Sequence, residues 1–333
     1  MPTIVSHIYE EPVKHKVVDF YALIEPMKVL VATEKPFAKK AVDAIREVVE
    51  GAGYELALLE KYTDKAELLA AVKDADALIV RSDKVTAEVI AAAEQLKIVV
   101  RAGAGYDNVD CAAATERGIV VMNTPGQNAN AVAELALGLM IYMSRNTFKP
   151  GTGKEISGKK LGIHGYGNIG QIVGRYGKAL GMEVYALSPS ITDMSIFENN
   201  GVTRVETAEE LYSKCDYISL HIPATAKYLK SVDRHLLESM PKGAILVNTA
   251  RKEVINEAEL IQLMEERADF KYMTDIMPAA NSKFLELFPE RYFSTPKKMG
   301  AQTAEANINA GIAAAHQIVG FIKDGCEKFR VNK

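Results

Sequence analysis

The chain has 333 residues, enough for two domains with separate cores, and its 48% hydrophobic and 25% charged residues are ordinary for a folded globular protein. A formal net charge of −3 without a long basic run gives no general attraction for nucleic acid or anionic membranes. Three widely separated cysteines, Cys111, Cys215 and Cys326, form no CxxC pair. We therefore expect no disulfide framework and no metal site, and a reducing cytoplasm fits this cysteine usage.

Residues 1–26 precede the first convincing strand and carry Glu10, Glu11 and Asp19 among short apolar runs. This pattern is not that of a signal peptide, and no stretch approaches the roughly 20 apolar residues of a membrane span. We interpret residues 1–26 as an N-terminal extension, packed on its own domain or on a partner subunit.

From Met27 onward, strand-like and helical patterns alternate: "KVLVAT", "AKKAVDAIREVVEGAG", "ADALIVRS", "AEVIAAAEQL" and "KIVVRAG". A long Ala- and Leu-rich helix, "NANAVAELALGLMIYMSRN", is followed by a Gly- and Lys-rich loop and a second alternating series to about residue 294. The segment "ANINAGIAAAHQIVGFIKDG" reads as a final helix with a Gly stop. The alternation predicts an α/β protein with two doubly wound, Rossmann-like domains and a ligand cleft between them.

The stretch "LGIHGYGNIGQIVGRYGKALGMEVYALS" places a GxGxxG motif between two predicted strands, with a helix after the glycines. Gly165, Gly167 and Gly170 would provide a tight turn, close approach to a pyrophosphate and tight helix packing. Asn168 and Ile169 belong to the same turn. The motif in this context predicts dinucleotide binding.

Ser188 stands at the end of the second strand of this unit, where NAD-binding proteins usually carry Asp or Glu for the ribose 2′-hydroxyl. Loss of the carboxylate removes repulsion against a 2′-phosphate, but no Arg or Lys follows before Asn200 to attract one. NAD is the expected cofactor, and NADP stays open as the alternative.

Seven segments in order resemble the motifs of the NAD-dependent D-2-hydroxyacid dehydrogenases, from about residue 27 to 333: "RAGAGYDNVD", "NTPGQNANAVAELALGLM", "GIHGYGNIG", "CDYISLHIPAT", "AILVNTARKEVINEAEL", "TDIMP" and "GAQTAEA". Within the family the chain is most similar to the branch that oxidises D-3-phosphoglycerate, in a short form without a C-terminal regulatory domain. The resemblance implies a substrate domain of residues 27–125 and 304–333, with an NAD-binding domain of residues 126–303 inserted in it.

The resemblance also implies roles for single residues. Arg251 in "NTARKEV" matches the family's catalytic Arg, whose planar guanidinium can meet a carboxylate bidentately and polarise a neighbouring oxygen. His221 in "LHIPAT" matches a residue near the nucleotide, with a core histidine as the alternative. Cofactor contacts are further implied for Thr249, Ala250 and Asp275.

The family's His and Glu pair is absent: its positions hold Lys298 and Ala280. One interpretation is loss of activity, and the other is a different proton carrier. To serve as a base near pH 8, a lysine needs its pKa lowered by about 2.4 units, or roughly 3.3 kcal/mol, which a nearby Arg251 and burial can provide. We favour Lys298 as this carrier over its neighbour Lys297.

Arg81 and Ser82 lie at a strand end of the substrate domain, and the resemblance implies that they contact substrate. A guanidinium with a hydroxyl suits a phosphate, and Lys84 would add charge. The backbone N–H groups around Gly103, Ala104 and Gly105 would hold the substrate carboxylate.

The expected function is NAD-dependent oxidation of D-3-phosphoglycerate to 3-phosphohydroxypyruvate at the entry to serine synthesis, with a small phosphorylated 2-hydroxy acid as ligand. Two alternatives stay open: reduction of glyoxylate, hydroxypyruvate or another 2-keto acid, and a non-catalytic nucleotide-sensing protein. The family usually dimerises, and the long helix has more apolar residues than one core face needs, so a homodimer is expected.

Overall fold

The computed structural model describes residues 26–333, so nearly all of the expected N-terminal extension lies outside the described residues. Two entirely parallel sheets form the framework. The first has five strands: β1 (Lys28–Thr33), β2 (Glu55–Glu60), β3 (Ala77–Val80), β4 (Ile98–Arg101) and β5 (Val120–Asn123). The second has seven strands: β6 (Lys160–His164), β7 (Glu183–Leu187), β8 (Thr203–Arg204), β9 (Tyr217–Leu220), β10 (Ile245–Asn248), β11 (Lys271–Thr274) and β12 (Tyr292–Ser294).

Helices connect the strands and cover the sheets. They are α1 (Lys39–Gly51), α2 (Lys65–Ala71), α3 (Ala87–Ala92), α4 (Cys111–Glu116), α5 (Ala129–Ser144), α6 (Asn168–Ala179), α7 (Ser195–Glu198), α8 (Ala208–Lys214), α9 (Arg234–Glu238), α10 (Glu257–Glu266), α11 (Asn281–Leu287) and α12 (Ala304–Asp324).

The strand order is β2-β1-β3-β4-β5 in the first sheet and β12-β11-β10-β9-β6-β7-β8 in the second. In each, a reversal of order leaves a crevice at the carboxyl ends of the strands, which is where open α/β sheets bind ligands. The predicted class of two doubly wound α/β domains is confirmed.

The last helix returns to the first sheet. In α12, Ala310, Ala314 and Ile318 are buried in the same core as Ile45 of α1. Gly311 lies against α1, since a Cβ there would come within 3.0 Å of Ile45 Cδ1. The helix ends at Gly325, whose φ of +65° gives the left-handed cap that the Gly stop predicts. Polypeptide from both ends of the described chain therefore builds one core.

Helix α5 packs on the second sheet, and ten of its sixteen residues are buried within the chain. Its exposed positions are Asn130, Glu134 and Gly138. Much of the apolar surface of α5 is therefore covered within the chain by α6, β10 and β11, and the homodimer expected from this helix stays a prediction. Among residues 26–333, none of the helices is both long and apolar enough to cross a bilayer.

Candidate active site

The carboxyl ends of the two sheets face each other across the cleft. Arg251, which follows β10, lies against the loop after β4: a Cβ added to Gly105 would be 3.7 Å from its Nη2 and 3.5 Å from Oδ2 of Asp107. Nearly all predicted site residues follow a strand on one of these two edges, so the fold gathers segments that are far apart in sequence.

The glycine turn between β6 and α6 has three different environments. Gly165 has φ +99°, and a Cβ there would lie 2.7 Å from the carbonyl oxygen of His221, so this position must be glycine. A Cβ on Gly170 would overlap the Gly165 carbonyl oxygen, which shows how closely α6 approaches the turn. Nothing lies within 4 Å of a Cβ on Gly167, so the backbone there is open to a ligand.

The N-terminus of α6 is free for an anion. Gly167 is its N-cap, and among residues 26–333 no side chain caps the helix or accepts from its first N–H groups, including those of Asn168 and Ile169. An uncapped helix start beside an open glycine is the arrangement that binds a pyrophosphate.

Three buried polar atoms on the same sheet edge lack a hydrogen-bond partner among the described residues: Nδ1 of His221, Oγ1 of Thr249 and Oδ1 of Asp275. Leaving such an atom unsatisfied costs about 1–3 kcal/mol. Their clustering after β9, β10 and β11 is explained if a ligand supplies the missing partners. Together with the glycine turn, this edge fits a dinucleotide.

The two histidines of this region are neutral at ordinary pH. Burial lowers the pKa of His221 to about 3, with a further contribution from His164, and burial lowers the pKa of His164 to about 4. Nε2 of His221 is 2.9 Å from the Ser219 hydroxyl, and Nδ1 of His164 is 3.1 Å from the Tyr212 hydroxyl. Neither group is suited to carry a proton near neutral pH, while His221 keeps one ring nitrogen for a ligand.

Ser188 is buried at the end of β7, and its backbone carbonyl accepts from Ile191 N–H. Ala250, after β10, donates its N–H to the Asn248 side chain at 2.9 Å and thereby fixes the turn that leads to Arg251. Asn248 also donates to the Arg251 carbonyl oxygen at 3.0 Å. The turn holds the Arg251 backbone in place. Within the described part of the chain, the guanidinium makes one hydrogen bond, from Nη1 to the Ala250 carbonyl at 2.9 Å.

Lys298 stands in a field of opposed charges, although the residue as a whole is exposed on its loop. Burial of its ammonium end lowers its pKa, the Arg251 cation lowers it further, and Arg101 adds to this. Asp275 and Asp107 act in the opposite direction. Both domains therefore contribute charges to the environment of this one amine.

Lys297 differs from its neighbour. Its side chain is exposed and makes no hydrogen bond or ion pair within the described chain, while its carbonyl oxygen accepts from Thr295 Oγ1 at 2.7 Å. Asp275 Oδ2 accepts from the Gly300 N–H at 2.7 Å and anchors the following turn. The loop is thus held on both sides of Lys298, which is the lysine that faces the cleft charges.

Ala280 is the N-cap of α11 and packs, partly buried, against the core of the seven-stranded sheet. Its N–H and that of Ala279 donate to the two carboxylate oxygens of Glu257, at 2.9 and 3.0 Å. The position where a family Glu would stand therefore carries no acidic side chain, and the carboxylates that act on Lys298 come from Asp275 and Asp107 instead.

Arg81 is held in position by contacts within the domain of the five-stranded sheet. Its Nη1 donates to the carbonyl oxygens of Lys35 and Pro36 at 3.0 and 3.2 Å, its Nη2 to Asn307 at 2.6 Å, and its guanidinium lies 5.1 Å from the centre of the Phe37 ring. Ser82 and Lys84 are exposed beside it. The charge of Arg81 is held in position without any ligand.

Arg101 is a site residue that the sequence reasoning missed. It ends β4, its Nε donates to the Arg81 carbonyl at 2.9 Å, and a Cβ on Gly103 would overlap its guanidinium. Burial lowers its pKa, and Arg81 and Arg251 add to that effect. The sequence did contain a signal for Arg101, because this residue stands at the end of the predicted strand in "KIVVRAG", as Arg81 does at the end of its own strand.

The loop from Gly103 to Gly105 presents unused donors: none of its three N–H groups donates a hydrogen bond within residues 26–333. Gly103 has φ +146°, and the Ala104 carbonyl accepts from Asn123 at 2.5 Å, which fixes the loop. The free amides lie beside Arg101 and Arg251, and Arg81 and Lys298 act electrostatically on these two guanidinium groups, so the region has a surplus of positive charge that suits an anion with more than one negative group. No three His, Cys, Asp or Glu side chains of the described chain gather into a metal-binding group.

Comparisons with known proteins agree with this geometry. The family model described as D-isomer specific 2-hydroxyacid dehydrogenase, catalytic domain, matches residues 29–332. An NAD⁺-bound 3-phosphoglycerate dehydrogenase from Entamoeba histolytica is 47% identical, with a TM-score of 0.81 over 92% of this chain and 99% of that one.

Two curated relatives differ in name. A D-3-phosphoglycerate dehydrogenase of Methanocaldococcus jannaschii is 40% identical over 271 residues, 76% of this chain and 51% of the relative. A hydroxypyruvate reductase of Thermotoga maritima is 36% identical over 282 residues, 79% of this chain and 90% of the relative. The chain thus spans about half the length of the curated phosphoglycerate dehydrogenase and most of the reductase. With the family model matching nearly the whole described chain, the protein belongs to the D-isomer specific 2-hydroxyacid dehydrogenases.

Proposed function

We propose that this chain is an NAD-dependent dehydrogenase that oxidises D-3-phosphoglycerate to 3-phosphohydroxypyruvate, the first step of phosphorylated serine synthesis. The observation that carries the proposal is a group of four cations: Arg101 and Arg251 lie against one loop of free amides, and Arg81 and Lys298 are close to these two arginines. A phosphate and a carboxylate on one small molecule match this surplus of positive charge. The names of the Entamoeba and Methanocaldococcus relatives support the same substrate.

The role that we propose for each cation in substrate binding follows from its position. Arg81 and Arg101 stand on the five-stranded sheet and would bind the phosphate, with Ser82 as a hydroxyl donor. The amides of residues 103–105 would hold the carboxylate. Arg251 stands opposite and would bind the carboxylate and polarise the oxygen on C2, because a guanidinium can donate to two oxygens in one plane.

Lys298 would accept the proton of the substrate hydroxyl during oxidation and return it in reduction. An amine can do so only in its neutral form, so its pKa must lie near the working pH. Burial and Arg251 act in that direction. Ala280 keeps a further anion away, since an acidic side chain beside the ammonium would hold it protonated.

The cofactor residues belong to the other edge. Gly165, Gly167, Asn168, Ile169 and Gly170 would hold the pyrophosphate, and the unpartnered atoms of His221, Thr249 and Asp275 would bond further groups of the nucleotide. Ala250 and Ser188 would also contact the cofactor at this edge. When bound, NAD would supply the nicotinamide that accepts the hydride from C2.

Reduction of hydroxypyruvate is the second candidate, because the Thermotoga relative carries that name and is matched over 90% of its length. That substrate has a carboxylate but no phosphate, so it would leave Arg81 and Arg101 without an anionic partner. The phosphorylated acid is therefore the better match to the pocket.

Three further proposals concern organisation. We propose residues 27–125 and 304–333 as the substrate domain and residues 126–303 as the nucleotide domain; the shared core of α1 and α12 supports this division. We also propose a homodimer in the cytoplasm, for which family resemblance is the support.

The test follows NADH formation with D-3-phosphoglycerate and with D-glycerate, which is the product of hydroxypyruvate reduction, and NADH consumption with hydroxypyruvate, all in the same preparation. A kcat/KM for D-3-phosphoglycerate at least tenfold above that for D-glycerate is expected, because the phosphate is the group that Arg81 and Arg101 would bind. Equal values for the two acids would contradict the phosphate assignment. Tight NADH binding without turnover of any 2-hydroxy or 2-keto acid would support a nucleotide-sensing protein instead.

A further inference from the structure

The end of β7 lacks the acidic residue that normally recognises a ribose diol, since Ser188 occupies that position. The strand beside it provides a carboxylate. Strands β7 and β8 pair in parallel, with Tyr185 opposite Thr203 and Ala186 opposite Arg204. Continuing this register by two residues brings Glu206 beside Ser188.

The two side chains also share a face of the sheet. Ala186 is buried in the core beneath α6, and alternation along a strand puts Ser188 on that same face. Arg204 is opposite Ala186, and it stacks on Phe197 of the same core at 5.8 Å from the ring centre. Glu206 is two residues further along and reaches the Arg204 guanidinium, with Arg204 Nε 3.2 Å from Glu206 Oε1.

The exposure of this ion pair decides which charge a ligand meets. The Arg204 side chain is 19% exposed, and its Nη1 contacts Met194 Sδ at 3.2 Å, whereas the Glu206 side chain is 72% exposed. The Arg204 guanidinium is therefore largely buried below the sheet edge, whereas the Glu206 carboxylate is exposed to solvent at that edge. A nucleotide whose ribose lies over the end of β7 would meet an anion first.

We propose that Glu206 takes over the task of the missing acidic residue: it accepts a hydrogen bond from the adenosine ribose and repels a 2′-phosphate, with Arg204 as the residue that positions its carboxylate. The chain thereby selects NAD over NADP although β7 ends in serine. This inference rests on the proposed function in that it assumes a dinucleotide at the glycine turn, and it adds the residue that determines which one binds.

The experiment measures dissociation constants of NADH and NADPH by cofactor fluorescence, without any hydroxy acid, for the parent chain, Glu206→Gln and the control Glu209→Gln. Glu209 is an exposed carboxylate on the following helix. We expect the parent to bind NADH at least tenfold more tightly than NADPH. Glu206→Gln should tighten NADPH binding about tenfold and weaken NADH binding, while Glu209→Gln changes neither.

Two further measurements, NADPH binding at different salt concentrations and in a double variant, distinguish charge repulsion of the 2′-phosphate from a structural effect of the substitution. Because charge repulsion at an exposed site is screened, the NADPH difference between parent and Glu206→Gln should shrink as salt rises from about 0.05 to 0.5 M. Adding Arg204→Gln should remove part of the NADPH gain, since the freed guanidinium would otherwise attract the phosphate. Equal parental affinities, or an unchanged preference in Glu206→Gln with NADH still bound tightly, would overturn this inference alone. A parent that binds neither dinucleotide would overturn the proposed function with it.

Discussion

The two edges of the cleft satisfy their polar groups in different ways. On the five-stranded side, Arg81 is tied to the carbonyl oxygens of Lys35 and Pro36, and Arg101 is tied to the Arg81 carbonyl, so the positive charges are fixed by the chain itself. On the seven-stranded side, His221, Thr249 and Asp275 each bury a polar atom without a partner among residues 26–333, and on the five-stranded side the hydroxyls of Thr33 and Thr124 do the same. The difference between the edges therefore lies in their charges: the first holds its cations in position before a ligand binds, whereas the second offers buried uncharged and acidic atoms that a ligand can bond.

This difference has an energetic consequence. A guanidinium already held by backbone oxygens loses little freedom when an anion arrives, so binding can use its charge efficiently. Buried polar atoms without partners destabilise the free protein and are satisfied on binding. Lys298 and Arg251 belong to the second edge by chain connection but lie close to Arg101 of the first, so the proposed reaction would depend on both edges.

The largest expected effect concerns Lys298, where the two edges meet. Lys298→Ala should lower kcat/KM for D-3-phosphoglycerate by about 10²- to 10⁴-fold, the range for a lost proton carrier, while NADH binding is retained. Lys297→Ala is the matched control and should stay close to the parent. Steady-state kinetics with both variants would refute the assignment if Lys297→Ala were the inactive one.

The next prediction concerns the glycine turn on the seven-stranded edge. In Gly170→Ala, the new methyl would overlap the Gly165 carbonyl oxygen, a backbone atom that cannot easily move. We expect a loss of about 1–3 kcal/mol in the free energy of unfolding together with loss of NADH binding.

Gly138→Ala is the control for that substitution, because it is also inside a helix but has nothing within 4 Å of the added Cβ. It should stabilise the protein by about 0.5–1 kcal/mol and leave NADH binding unchanged. Denaturant melts and fluorescence titration give both quantities. Normal NADH affinity in Gly170→Ala would contradict the proposed role of the turn.

Substitutions on the five-stranded edge, which carries Arg81 and Arg101, should affect substrate binding alone. Arg81→Gln or Arg101→Gln removes a charged donor worth about 1.5–3 kcal/mol, so KM for D-3-phosphoglycerate should rise roughly 10- to 100-fold. The dissociation constant of NADH should not change. Lys73→Gln, an exposed lysine before the amino end of β3, serves as the charge-matched control. Weakened NADH binding in either arginine variant would show that the two edges are not separate in function.

The smallest expected effect is a shift in pH dependence. The Asp107 carboxylate stabilises the charged form of Lys298, so Asp107→Asn should lower the pKa of that amine. Because oxidation needs the neutral amine, kcat/KM should rise with pH in both proteins, and the rise should begin at lower pH in the variant. Asp43→Asn, on the exposed face of α1, should leave the profile in place. A shift to higher pH would contradict the charge arrangement around Lys298.

Much of this protein could be predicted from local patterns. The strands at residues 28–33, 98–101 and 160–164 and the final helix with its Gly325 cap follow from alternation and stop signals. The three glycine environments were also predicted, because a turn between adjacent strand and helix depends only on nearby residues. How much of the apolar surface of α5 is covered within the chain could not be predicted, since the number of core faces that a helix meets depends on its neighbours in space.

The sequence by itself determined the doubly wound class, the glycine turn and the strand ends that carry polar residues, because these depend on periodicity and short-range sterics. Only the tertiary structure decided that Arg101 joins Arg81, that Lys298 faces the opposed charges, and that β8, which leads to Glu206, pairs with β7, which leads to Ser188. Each of these depends on strand order and on which edges face one another. Residues distant in sequence acquire their electrostatic environment only when the sheets are assembled.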